Sequence, residues 1–179
     1  MRMPGVLHPD DDTAATGLEQ VFMDHYEAVY RTAYRITGNG TDAEDVLQTL
    51  FLRLVRQPAA PVRDGQWLPY LRCAAVNAAL DVLRRRRSVP LAVVEPRLQE
   101  PRPGPYELYR GRELGERLRA VLATMTPRAA TIFLLRYVEG HTNTEIARMV
   151  GTSTSTVAVT LFRARRHLRR SLRSFRGGQ

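Results

Sequence analysis

Seven arginines and no acid stand between Arg163 and Arg176, and a run of one sign suits one task, holding an anion. Arginine keeps its proton at any ordinary pH, so these side chains do no acid–base work. Their planar forks match phosphate oxygens and guanine edges. The sequence offers no nucleophile–base pair, glycine-rich phosphate loop or metal cluster. It reads as a binding protein and not an enzyme, with no cofactor. His8, His25, His141 and His167 are scattered without ligand spacing, and Cys73 is the only cysteine. A zinc site and a disulfide framework are therefore both unexpected.

Two helices must position those arginines. Thr142-Asn143-Thr144-Glu145 is a Ser/Thr-x-x-Glu capping box, in which the hydroxyl accepts from the amide three residues on and Glu145 reaches back. The short helix it starts carries Ile146, Ala147 and Val150 and stops at Gly151, which suits a left-handed residue after a helix end. Ser153 caps a second, longer helix, whose apolar positions Val157, Leu161, Ala164 and Leu168 recur at three- and four-residue steps. Two helices across a short glycine-containing turn predict a helix-turn-helix, the second helix entering a major groove. The bland alternative is two packed helices with a basic face.

The chain has 179 residues, room for one domain or two small ones. Its net charge of +9 is unevenly spread. Up to Leu83 there are seven arginines against eleven acids, and from Arg84 onward twenty against seven. All 27 basic residues are arginine. That asymmetry points to nucleic acid for the C-terminal half and a protein partner for the N-terminal half. No signal sequence and no apolar run near the ~20 residues of a membrane span is present, which predicts a soluble, cytoplasmic protein without membrane insertion.

The periodicity predicts an all-α fold of two small helical domains joined by a proline-rich linker. Residues 1–17 read as a disordered leader. In domain 18–88, Leu18, Val21, Phe22, Tyr26, Val29, Tyr30 and Ala33 stripe a first helix. Thr41 or Asp42 caps a second, whose buried stripe is Val46, Leu47, Leu50, Phe51, Leu54 and Val55. From Trp67 or Pro69 a third follows, with Tyr70, Leu71, Ala74, Ala78 and Val82 as its spine, ending in Arg84-Arg85-Arg86-Arg87. Five of the eleven prolines fall in the linker, 89–106. Domain 107–175 continues with Leu114, Leu118, Val121 and Leu122 on one helix. Thr126-Pro127 caps the next, lined by Ile132, Phe133, Leu135 and Val138. Residues 176–179 form a tail.

The ordered set of motifs resembles a known family. Ala43 to Arg53 is similar to the polymerase-binding helix of bacterial extracytoplasmic-function (ECF) sigma factors. Leu71 to Arg87, with Asn77, Asp81 and the arginine run, is similar to the helix that meets the downstream promoter element. Thr126-Pro127-Arg128, Phe133 to Gly140, Glu145-Ile146-Ala147 and Phe162-Arg163-Ala164-Arg165 resemble the family's fourth domain. The resemblance runs from residue 18 to 173, in the family's order.

The resemblance implies a subunit that binds core RNA polymerase, recognises and melts promoter DNA, and is held inactive by an anti-sigma factor. Asp45, Gln48, Thr49 and Arg53 would contact polymerase. Pro61, Arg63, Asp64, Trp67 and Asn77 would meet the downstream element, where an amide suits an exposed base edge. Arg84, Arg85, Arg86 and Arg87 would hold phosphates. Thr154, Ser155, Thr156, Ala158, Val159, Phe162 and Arg163 would read the upstream duplex, with Arg165 and Arg166 on phosphates. Members usually carry a basic, a small polar and a basic residue where this chain has Ala158, Val159 and Thr160. Either this methyl-rich surface packs on thymine methyls, or the domain binds weakly and relies on the first. A stand-alone helix-turn-helix regulator is the competing reading, and it leaves Ala43 to Arg53 and Asn77 to Arg87 unexplained.

Overall fold

The computed structural model describes residues 9–56, 66–88 and 105–174, which form seven helices. These are α1 (Pro9–Thr37), α2 (Gly40–Arg56), α3 (Trp67–Ser88), α4 (Pro105–Thr124), α5 (Pro127–Tyr137), α6 (Asn143–Met149) and α7 (Thr154–Ser174). No strand occurs among the described residues. The segments 57–65 and 89–104, which hold the first loop and nearly all of the linker, lie outside them.

Helix α1 begins earlier than its apolar stripe, so two turns run through residues read as a leader. Proline fits a first helical turn because the N–H it lacks would have had no partner there, and Pro9 opens the helix. Gly38 ends α1 at φ +67°, its amide donating to the Tyr34 carbonyl at 2.7 Å. The next cap is Asn39, and neither Thr41 nor Asp42: its Oδ1 accepts from the Asp42 amide at 3.1 Å. The Asp42 side chain turns inward instead, toward α3.

Helix α3 organises the molecule. It packs against α1 and α2 on one side and α4, α5 and α6 on the other. Ala75, Val76, Ala79, Leu80 and Leu83 are therefore buried along with the expected Leu71, Ala78 and Val82. An apolar stripe is the mark of a helix with one wet face, whereas one covered on both sides buries most of its circumference. The same reason adds Ala130, Thr131 and Leu134 to the expected buried positions of α5. Tyr26, Val55 and Leu114, expected in stripes, are exposed.

Two buried clusters result. One joins Val29, Leu50, Phe51, Leu54, Leu71 and Ala75 within the N-terminal half. The other runs from Ala33 and Ile36 through the C-terminal part of α3 into α4, α5, α6 and α7. The two helical halves thus share a core.

The helix-turn-helix forms as its caps dictate. The Thr142 hydroxyl accepts from the Glu145 amide while a Glu145 carboxylate oxygen accepts from the Thr142 amide at 2.7 Å. Those bonds hold the Glu145 carboxyl below its ordinary range. Thr126 makes no side-chain cap bond, so α5 starts on Pro127 alone. Thr142→Ala removes the cap acceptor and is expected to lower stability by about 1 kcal/mol in urea unfolding. Thr142→Ser retains the acceptor and stays within a few tenths of wild type.

Candidate nucleic-acid and protein interfaces

Helix α7 is fixed from one side. Val157, Leu161, Ala164 and Leu168 are buried, and α4, α5 and α6 all pack against the helix. The Thr124 hydroxyl also meets His167 Nε2 at 3.1 Å. Ser153 Oγ accepts from the Thr156 amide at 3.1 Å and contacts the hydroxyls of Ser155 and Thr156. Two expected base-reading hydroxyls are thereby drawn into the cap.

All nine expected residues, Thr154, Ser155, Thr156, Ala158, Val159, Phe162, Arg163, Arg165 and Arg166, are exposed around the rest of α7. Ser155, Val159, Phe162 and Arg166 follow one another at steps of four, three and four, a single line along the helix. Val159 is 49 % exposed and Phe162 59 %. An apolar pair on a face otherwise hydroxyl and guanidinium suits apolar base edges flanked by phosphates.

The basic end of α3 is less open than its sequence suggests. Arg84 pairs with Asp81 at 3.1 Å and Arg86 with Asp42 at 2.6 Å. Burial pushes the Asp42 carboxyl up, and Arg86 draws it back. Arg85 and Arg87 are exposed. Asn77 lies on an exposed part of α3, yet its amide oxygen accepts from the Thr131 hydroxyl of α5 at 2.6 Å. Trp67 is half-buried against the first cluster, its ring edge-on to Tyr70. Pro61, Arg63 and Asp64 lie outside the described residues.

On α2, Asp45, Gln48, Thr49 and Arg53 are all exposed. Leu52 and Val55 stand exposed among them, making a face with an apolar centre and a polar rim. The sequence reading missed both. The signal was the surplus: Val46, Leu47, Leu50, Phe51, Leu52, Leu54 and Val55 are more apolar positions than one face of a helix can bury.

Comparisons with known proteins agree with the order of these helical halves. Sigma-70 region 2 matches residues 21–89, and Sigma-70, region 4 matches residues 115–168. The ECF RNA polymerase sigma factor SigE of Mycolicibacterium smegmatis is 30 % identical over 162 residues, 89 % of this chain and 63 % of that protein. The probable RNA polymerase sigma factor RfaY of Xanthomonas campestris pv. campestris is 29 % identical over 179 residues, 95 % of this chain and 45 % of that protein. The chain thus spans between about half and under two thirds of the length of these relatives. Among solved structures, CnrH in complex with the cytosolic domain of CnrY superposes with a TM-score of 0.55 at 21 % identity, over 92 % of this chain and 95 % of the other. The sigma factor RpoE in complex with the anti-sigma factor NepR, from Bartonella quintana, gives 0.53 at 16 %, over 87 % and 96 %. At those identities the likeness is one of fold. With both regions matched in order on either side of the proline-rich segment, and ECF members among its relatives, the chain belongs to the ECF group of sigma-70 RNA polymerase sigma factors.

Proposed function

We propose that the protein is a promoter-specificity subunit: it binds core RNA polymerase through α2, presents α7 to an upstream duplex element, and melts DNA at a downstream element met by α3. The observation that carries this reading is the pairing, in one chain, of an exposed α2 face centred on Leu52 and Val55 with an arginine-flanked reading helix. A stand-alone regulator needs the second but has no use for the first. The protein catalyses no bond chemistry in this role; binding energy does the work. An anti-sigma factor is the natural negative partner, since the similar RpoE structure is a complex with one. The reading is tested by mixing the protein with sigma-free bacterial core polymerase: comigration on size exclusion supports it. Its absence, with polymerase competent for another sigma factor, leaves the regulator.

The exposed Val159 and Phe162 make a sharper claim about the upstream element. A duplex selected from a random library by the polymerase–protein complex should carry thymine facing Val159. Replacing that thymine by uracil removes only the C5 methyl, and binding should weaken roughly fourfold, the worth of about 0.8 kcal/mol per buried methyl. In Val159→Ser the same exchange should change nothing, since the partner methyls are gone. Equal binding to thymine and uracil in the wild type would leave the recognition to polar contacts.

A further inference from the structure

Four consecutive arginines, Arg84 to Arg87, stand at the end of α3, and they do not meet the solvent alike. Arg85 and Arg87 are exposed. Arg84 pairs with Asp81 of the same helix, an acid whose side chain is 57 % exposed. Such a surface pair is weak and screened by salt, and a phosphate can take the place of the acid. Arg86 differs. Its Nη2 lies 2.6 Å from Oδ2 of Asp42, whose side chain is only 12 % exposed and comes from the first turn of α2. That carboxylate cannot follow the arginine into solvent, because Asn39 caps α2 by accepting from the Asp42 amide and so fixes its backbone. A buried carboxylate stripped of its cation is costly, so the pair resists being broken from the Arg86 side.

Resting on the proposed function, we infer that Asp42 is a positioning residue for the downstream-element surface: it holds Arg86 out of the phosphate contacts, so that α3 grips DNA with fewer charges than its sequence carries. A phosphate within reach of Arg86 meets a cation that a carboxylate already balances. Closing that contact releases less counterion and gains less affinity. Phosphate contacts are the same on every sequence, whereas base edges differ. A chain that limits the first leaves a larger share of its hold on DNA to the second, and it leaves unmatched DNA more readily. An ion pair that merely fastened α2 to α3 would behave differently: neutralising Asp42 would lower stability and gain nothing in DNA binding.

The test is the slope of log affinity against log salt. Holoenzyme assembled from sigma-free core polymerase and the full chain is titrated on a promoter duplex selected from a random library, and on the same duplex with its downstream element scrambled. The free chain is titrated separately on a random-sequence single-stranded oligonucleotide. Asp42→Asn keeps nearly the same shape without the charge, and it should steepen the slope by about 0.7 to 0.9, the worth of one added phosphate contact. Affinity should therefore rise about threefold more at ~50 mM salt than at ~200 mM. The gain should be equal on the matched and the scrambled duplex. Arg86→Gln should cancel that increment in the Asp42→Asn background and cost much less with Asp42 in place. A slope that Asp42→Asn leaves unchanged or flattens overturns the inference. So does an equal cost of Arg86→Gln in both backgrounds, since Arg86 would then already be on a phosphate. Should Asp42→Asn unfold by circular dichroism, Asp42→Ser carries the same expectations. Failure of the holoenzyme to form would instead sink the functional reading, and the oligonucleotide slopes would still decide the role of Asp42.

Discussion

Ile146→Ala lowers the unfolding free energy by roughly 2–5 kcal/mol, the range for emptying a buried aliphatic site, and duplex binding is lost with it. The size of the effect follows from how little else holds α6. A seven-residue helix is far below the ~12–15 residues at which an isolated helix becomes even marginal in water. Its capping box secures one end, and Gly151 at φ +61° turns the chain at the other. What docks it is Ile146, fully buried, with Ala147 beside it. Removing the larger side chain leaves a cavity between α6 and its neighbours α5 and α7. The angle at which α7 is presented then loosens. The measurement is a urea titration beside duplex binding and polymerase comigration. Comigration should survive, because Leu50, Phe51 and Leu54 anchor the C-terminal half of α2, where Leu52 and Val55 stand, in the other core cluster. A loss of less than about 1 kcal/mol would show that α6 is held by its caps instead.

Asp45→Arg abolishes comigration with core polymerase while leaving the fold intact. Asp45 is exposed in the second turn of α2, on the same face as Gln48, Thr49 and Leu52. Reversing a charge inside an interface costs roughly 2–5 kcal/mol, a thirtyfold loss or more, because attraction becomes repulsion and a cation is left facing its like. Stability should not suffer. Asp45 lies close enough to push the buried Asp42 carboxyl up, so an arginine there relieves a repulsion within the domain. A thermal scan at or slightly above wild type, with polymerase binding lost, is the expected pair of results. Retained binding would move the contact off this face, and Leu52→Asp would then ask whether α2 is used at all. Loss of binding together with a lowered melting temperature would mean that the substitution had damaged α2 itself.

Much of the local structure was legible in the residues, for local reasons. A threonine three places before a glutamate, a glycine after a helix end and a serine opening an arginine-rich repeat each decide backbone hydrogen bonds within one or two turns. The structure has all three. The second helix was found from its period, while its cap was assigned to Thr41 or Asp42 because both types cap well. Asn39 takes that place, two residues before the first of them, because Gly38 turns the chain so that α2 starts at Gly40. Val55 was placed in the buried stripe, and Leu52 on no face, for another reason. Periodicity tells which residues share a face but not which face is covered.

The sequence by itself determined that the chain is helical, where its helices start and stop to within two or three turns, and that its last helix is rich in arginine and free of acid beyond Arg163. Those outcomes depend on spacing, capping chemistry and charge, all of which act over a few residues. Only the tertiary structure decided that α3 is buried on both sides, that Arg86 spends its charge on Asp42, and that Asn77 is met by Thr131. Each depends on a partner tens of residues away; Asn77 and Thr131 stand 54 positions apart. A side chain's own type states what it can bond, whereas the packing of the whole chain selects which of its possible partners arrives.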